Sequence, residues 1–139
     1  MTIKAAELTV GKVFEQVVVE DVTRTQIVMY AGASGDFNPL HHDEVFAQAA
    51  GYPSVFAHGM LTMGLTGRLL TDTVGADKLL SYGGRFTSQV WPGDTLTATA
   101  TVEAVREVDG RSVVDLVLST KNQNDVEVFS GRASAVVES

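Results

Sequence analysis

The chain of 139 residues contains no cysteine. That removes disulfides, thiolate nucleophiles and cysteine-bound zinc together. Basic residues are also scarce: ten Lys and Arg against seventeen Asp and Glu leave a formal charge of −7. Nucleic acid and anionic membrane surfaces demand a dense basic patch, so neither is expected as a partner. A few of the basic residues could still gather around one phosphorylated ligand. No apolar run approaches the roughly 18 residues that a membrane-spanning helix needs. The opening stretch MTIKAAELTVGKVFEQ has no apolar core or small-residue cleavage site of the secretory kind, so a cytosolic protein is expected. There is no Gly-rich phosphate loop, no Gly-x-Ser-x-Gly elbow and no Cys/His pair, which leaves nucleotide cofactors and covalent acyl-enzymes without support. Repeats, low-complexity tracts and Pro/Ser-rich linkers are missing too. The expectation is one domain over residues 1–139.

What is present is a 45% apolar chain whose pattern changes along its length. VFEQVVVE, residues 13–20, is β-branched and predicts a first strand. Thr23 and Gln26 form a capping-box pattern that opens a short helix through IVMYAGA, stopped by Gly32 and Gly35. DEVFAQAAG predicts a second short helix with Asp43 as its N-cap, Val45, Phe46, Ala49 and Ala50 as its apolar set, and Gly51 as its stop. Residues 59–74, GMLTMGLTGRLLTDTV, are apolar nearly all round and predict one long buried helix, in which Gly64 and Gly67 would let another element come close. From about residue 79 the period becomes two, clearest in DTLTATATVEAV, with turns at Trp91–Asp94, Asp109-Gly110 and 122–125. Four strands in succession, read as an antiparallel meander around the long helix, make an α+β layout.

The chemistry gathers in YAGASGDFNPLHHD, residues 30–43. On a regular helix Asp36 and His41 would stand about 140° apart. Pro39, however, lacks an N–H and pushes Asn38 out of the α region, so the segment bends and the two side chains can converge in a loop. A carboxylate and an imidazole side by side can take one proton and give another. Spacing alone leaves open the plainer reading, in which Asp36 caps a turn and His41 is a hydrogen-bonded, half-buried histidine. In FAHGML, Gly59 opens the long helix, where free N–H groups and a bare Cα could meet a developing oxyanion; equally, Gly59 could serve only to relieve crowding. His41, His42, His58, Asp36 and Asp43 could supply metal ligands, but their spacing matches no zinc or facial-triad pattern and adjacent histidines rarely point the same way. No metal is expected, and His42 is read as a solvent-side neighbour.

Residues 30–61, YAGASGDFNPLHHDEVFAQAAGYPSVFAHGML, resemble the hydratase motif of the MaoC-like (R)-specific enoyl-thioester hydratases and dehydratases. An aromatic, a small residue, Gly-Asp-x-Asn-Pro-Leu-His, an alanine-containing helix and His-Gly-Met-Leu follow in order. RFTSQVWPGDTL, residues 85–96, carries a weaker likeness to that family's Phe-to-Pro-Gly-Asp strand and turn. The resemblance implies a hot-dog fold, in which a curved antiparallel sheet wraps a long central helix, and pairing with a second hot dog, identical or different. Within the family the look is that of the catalytic subunits of mycobacterial (3R)-hydroxyacyl-carrier-protein dehydratases, which work beside a hot-dog partner lacking the acid and the histidine. It further implies that Asp36 and His41 form a catalytic dyad, that Asn38 and Pro39 hold the loop, and that the Gly59 N–H polarises the thioester carbonyl of an acyl-CoA or acyl-carrier-protein substrate, without a cofactor. The acidic composition mildly disfavours the carrier protein, itself acidic. Hot-dog thioester hydrolases and non-catalytic hot-dog subunits are the rival readings. One departure stands out: some stand-alone hydratases present a serine from the central helix, and the nearest positions here are Thr66 and Gly67, so that hydroxyl is either supplied by Thr66 or missing.

Overall fold

A computed structural model describes residues 3–138. The first strand, β1, spans Val13–Val19, and three helices follow: α1 (Arg24–Ser34), α2 (Glu44–Ala49) and α3 (Gly59–Val74). The chain then enters β2 (Leu79–Phe86), β3 (Leu96–Val108), β4 (Arg111–Lys121) and β5 (Glu127–Val137). Local sequence signals account for most of these limits. Thr23 accepts from the Gln26 N–H while the Gln26 side chain returns to the Thr23 N–H, so the capping box starts α1. Gly35, at φ +78°, ends it in the left-handed conformation that costs glycine least. Asp43 accepts from the Phe46 N–H and caps α2.

The five strands form one antiparallel sheet in the order β1-β3-β4-β5-β2. In β3 the alternation has its expected result: Leu96, Ala98, Ala100 and Val102 are buried, and the threonines between them are partly exposed. The pairing of β3 with β4 slips between Val102 and Ala104, a bulge of the kind that bends and twists a strand. Asp109 and Gly110, both at positive φ, close the β3–β4 hairpin in the turn that suits strand twist. The succession of four strands departs from the expected meander in one respect: β2 pairs with β5 at the far edge and not with β3. The connection 87–95 therefore crosses to the other side of the sheet. It is pinned there by Asp94, whose carboxylate accepts from the Trp91 N–H and from Gln123 (2.9 Å each), and by a backbone bond from Gly93 to Val22 (2.7 Å).

Helix α3 packs against β1, β2, β3 and β5. Its Leu69, Leu70 and Val74 join Leu96, Leu116 and Leu118 in the core. Burying each such side chain contributes about 1.5–3 kcal/mol. Ala98, Ala100, Ala133 and Ala135 are small and fully covered, which leaves room for a helix over the sheet. Thr66 is completely buried, and its hydroxyl lies 2.6 Å from that of Thr120 on β4. That hydroxyl is thus spent inside the core and is not offered to a site. Gly64 has nothing near an added Cβ, and at Gly67 a Cβ would sit 3.5 Å from Tyr82, an ordinary contact. The close approach expected at these two glycines falls instead at Gly59. The expected apolar face of α2 also differs: Ala47 is buried, whereas Val45 is 79% exposed and Phe46 47% exposed.

Candidate active site

Asp36 follows directly on the glycine that ends α1. One of its carboxylate oxygens accepts from the Asn38 N–H (3.3 Å), and Asn38 in turn accepts from the Leu40 N–H (3.0 Å) to start a single 3₁₀ turn, Pro39–His41. This turn sends His41 inward. Its side chain is 10% exposed, against 53% for Asp36, and His41 Nε2 stands 3.9 Å from Asp36 Oδ2. The other ring nitrogen, Nδ1, lies 2.6 Å from the Phe56 carbonyl. A carbonyl only accepts, so Nδ1 carries the proton and Nε2 is the atom left facing Asp36. The separation is too long for a direct hydrogen bond, but a water or hydroxyl oxygen at roughly 2.8 Å from each group fits between them. Asp36 therefore caps a turn with one oxygen and faces His41 with the other.

The residue that sequence reasoning underrated is His58. Only 2% exposed, it stacks on His41 with ring centroids 3.8 Å apart and planes 25° from parallel, and the Tyr30 ring lies 4.9 Å away. Its Nε2–H donates to the Asp36 carbonyl at 3.0 Å, while Nδ1 has no hydrogen-bond partner among the described residues. Burial pushes the His58 pKa below the usual histidine range; the bond to Asp36 opposes this, and the neighbouring His41 adds to it. The only signal in the sequence was a histidine beside Gly59, and nothing there says which way an N-cap side chain turns. His42, by contrast, is exposed and donates from Nε2 to the Phe37 carbonyl at 3.1 Å.

Asp36, His41 and His58 each bring a donor atom within 4.8 Å of the others, the composition of a two-histidine, one-carboxylate metal site. The stacking works against it. Lone pairs lie in the ring planes, and nearly parallel rings direct theirs side by side. An ion at about 2.1 Å from a nitrogen of each ring would sit out of both planes. The proton on His58 Nε2 is committed to the Asp36 carbonyl as well. The residues present do not fit a metal ion without rearrangement.

Beside this cluster, the start of α3 receives no side-chain cap from His58. Its first N–H groups and the positive end of its dipole are left for another acceptor. Gly59 lines a cleft of about 280 Å³ together with Phe56, Ala57, Thr62, Phe86 and Val90. A Cβ on Gly59 would come within 2.8 Å of the Phe86 ring. Crowding against the Phe86 ring therefore favours glycine here, and the same glycine lines the cleft.

A sheet wrapped round one helix defines a hot-dog protein, and here Asp36 and His41 face each other across a short gap. The family follows: residues 5–124 match the MaoC like domain, and the chain belongs to that family. Among its relatives is the enoyl-CoA hydratase ChsH3 of Mycobacterium tuberculosis, 39% identical over 100 residues that cover 70% of this chain and 32% of that protein. The chain spans a third or less of the length of several of the curated relatives it matches. The unliganded R-hydratase PhaJ1 of Pseudomonas aeruginosa superposes with a TM-score of 0.85 at 27% identity, covering 99% of this chain and 88% of that one. A chain of the ChsH1–ChsH2 complex of Mycobacterium tuberculosis superposes with a TM-score of 0.76 at 25% identity, covering 94% and 98%.

Proposed function

We propose that residues 1–139 act as one hot-dog domain that adds water reversibly to trans-2-enoyl thioesters, giving (3R)-3-hydroxyacyl thioesters. The observation that carries this reading is the 3.9 Å gap between Asp36 Oδ2 and His41 Nε2 beside the uncapped end of α3. Water held in the gap gives hydroxide to C3 and its proton to the pair, and the pair passes that proton on to C2, so the pair ends with the protons it began with. His41 exchanges through Nε2 because Nδ1–H is held by Phe56. Asn38 and Pro39 hold the loop. Charge moving onto the thioester oxygen meets the Gly59 N–H at the positive end of α3. No cofactor enters the scheme. The carrier is CoA or an acyl carrier protein, and cytosolic location belongs to the same reading, supported by the lack of cysteine.

Partnering with a second hot-dog chain, identical or different, completes the proposal. Strands β1 and β2 are sheet edges, and Val28, Met29, Phe37, Val45, Phe46 and Met60 are exposed apolar residues around the site. The ChsH1–ChsH2 neighbour is named as a complex. Crotonyl-CoA tests the activity: the expected result is loss of enoyl absorbance without release of free thiol. Free thiol would assign a thioester hydrolase, and no turnover, alone or with a co-expressed hot-dog partner, would assign a non-catalytic subunit.

A further inference from the structure

We propose that His58 is a positioning residue for this site, tying the Asp36 backbone to the start of α3 and backing the His41 ring so that Oδ2 and Nε2 face one gap. The inference rests on the Asp36/His41 reading above. Asp36 and His58 are 22 residues apart in the chain, and a single hydrogen bond, Nε2–H to the Asp36 carbonyl at 3.0 Å, joins the loop to the helix. The same ring lies flat against His41 at 3.8 Å. One side chain thus touches both members of the pair, through the backbone of one and the ring of the other.

Packing alone does not explain an imidazole here. At 2% exposure, Nδ1 has lost water and has no partner among the described residues, which is a desolvation cost that a phenyl ring of similar shape would avoid. What the imidazole has and a phenyl ring lacks is the N–H bonded to Asp36. The tautomer matters too. With Nε2–H committed, Nδ1 would have no acceptor for a second proton among the described residues, which favours a neutral His58 and leaves proton exchange to His41. The groups facing His58 are the Asp36 carboxylate, the His41 imidazole and the Tyr30 ring, and burial, the largest influence on its pKa, favours the neutral form.

Two substitutions separate the two contacts. His58→Phe keeps a flat ring against His41 and removes the donor, whereas His58→Gln gives up the ring and keeps an N–H at a similar reach. For the folded Phe variant we expect kcat on enoyl-CoA to fall roughly tenfold to a hundredfold, with KM within about threefold of wild type, since a misplaced group costs turnover before binding. Gln should return kcat to within about fivefold of wild type, because it restores the tie to Asp36. A folded Phe variant with wild-type kcat, or a Gln variant as impaired as Phe, overturns the proposal. Asp36→Asn is assayed in parallel: an active Asp36→Asn enzyme sinks the dyad itself, whereas a dead one beside an active His58→Phe sinks only the role given to His58. Should His58→Phe not fold, ¹⁵N imidazole spectra of the wild type decide. The Nε2–H tautomer is expected at about pH 8, above the usual histidine range, and an Nδ1–H tautomer would leave nothing to donate to Asp36.

Discussion

The sheet with α3 and the segment from α1 to His58 differ in which side chains they cover, although both bury some apolar residues. In the first, Leu70, Leu96, Leu116 and Leu118 are buried and charged side chains such as Arg106 and Asp115 pair on the outside. In the second, His41 and His58 are buried, whereas Val45, Met29 and Phe37 are 79%, 67% and 64% exposed. A segment that buries two histidines and leaves several large apolar side chains outside is poorly suited to hold itself together. Its stability is drawn from the sheet, and under the proposed function its shape would serve a substrate and a neighbour. Substitutions should therefore sort by region, with those in the segment read in turnover and those in the core read in stability.

The largest effect is expected at the pair itself. Asp36→Asn and His41→Gln should each lower kcat by at least about a hundredfold, because each removes one proton-transfer partner, while circular dichroism and melting show an intact fold. Near wild-type turnover in either variant would remove the comparison's functional half. Next comes Gly59→Val. A side chain there meets the Phe86 ring and moves the helix start away from the carbonyl it is proposed to hold, and loss of such a donor is worth on the order of 3 kcal/mol of transition-state stabilisation. Gly59→Ala should be milder. Combining it with Phe86→Ala should recover most of the loss, since the obstructing ring is then gone; a double variant as slow as Gly59→Ala would show that the contact with Phe86 is not the cause.

In the core the effect should fall on stability. Leu70 is fully buried, and Leu70→Ala is expected to cost about 2–5 kcal/mol in chemical denaturation while the folded fraction turns over normally. Parallel loss of kcat in the folded fraction would mean that the two regions are mechanically coupled, contrary to the contrast drawn above.

These regions were also unequally legible in the sequence. Period-two alternation, Asp109-Gly110 and the Thr23 and Asp43 caps are local devices, and each produced the element expected of it. Strand order was not local: β2 lies beside β5 because the 87–95 connection is pinned through Asp94 and Gln123, a contact across 29 residues. In the site, the bend at Pro39 follows from proline's own geometry, so the approach of Asp36 to His41 could be argued in advance. His58 could not. Its stacking on His41 and its bond to Asp36 depend on where α3 starts relative to the loop, and a hydropathy pattern holds no record of that. Thr66 shows the same limit from the other side, since only the structure reveals its hydroxyl spent on Thr120.

A smaller effect should appear as pH dependence. The folded-state pKa of His58 lies below its unfolded value of 6.5 because burial disfavours the charged ring. The unfolded chain then binds more protons as pH falls, so this stability is present above 6.5 and is lost as pH drops through that value toward the folded pKa. His58→Phe should flatten this limb of a stability–pH profile. Asp115 behaves alike in a more acidic window. Its carboxyl is held below the usual range by the Arg106 bond first and the Ser134 bond second, so its contribution is present above the unfolded carboxylate pKa and is lost as pH falls through the lowered one. A His58→Phe profile parallel to wild type near neutrality would place the titration elsewhere.

The smallest effect is expected at His42, the immediate neighbour of His41. Both are histidines in the same loop, but His41 is turned into the protein and His42 lies exposed, donating to the Phe37 carbonyl at 3.1 Å. An exposed hydrogen bond of this kind contributes about 0.5–1.5 kcal/mol at most, since water can replace it. It steadies the exposed rim of the loop through the Phe37 carbonyl. Removing it with His42→Ala should slow turnover by no more than about threefold, because the bonds of Asn38 to Leu40 and of His41 to Phe56 keep that turn in place. His42→Gln, which can still donate to Phe37, should be indistinguishable from wild type. A loss in His42→Ala approaching that of His41→Gln would mean that the turn does not insulate the pair from its exposed neighbour, and the division of the two histidines into one for chemistry and one for the loop would have to be given up.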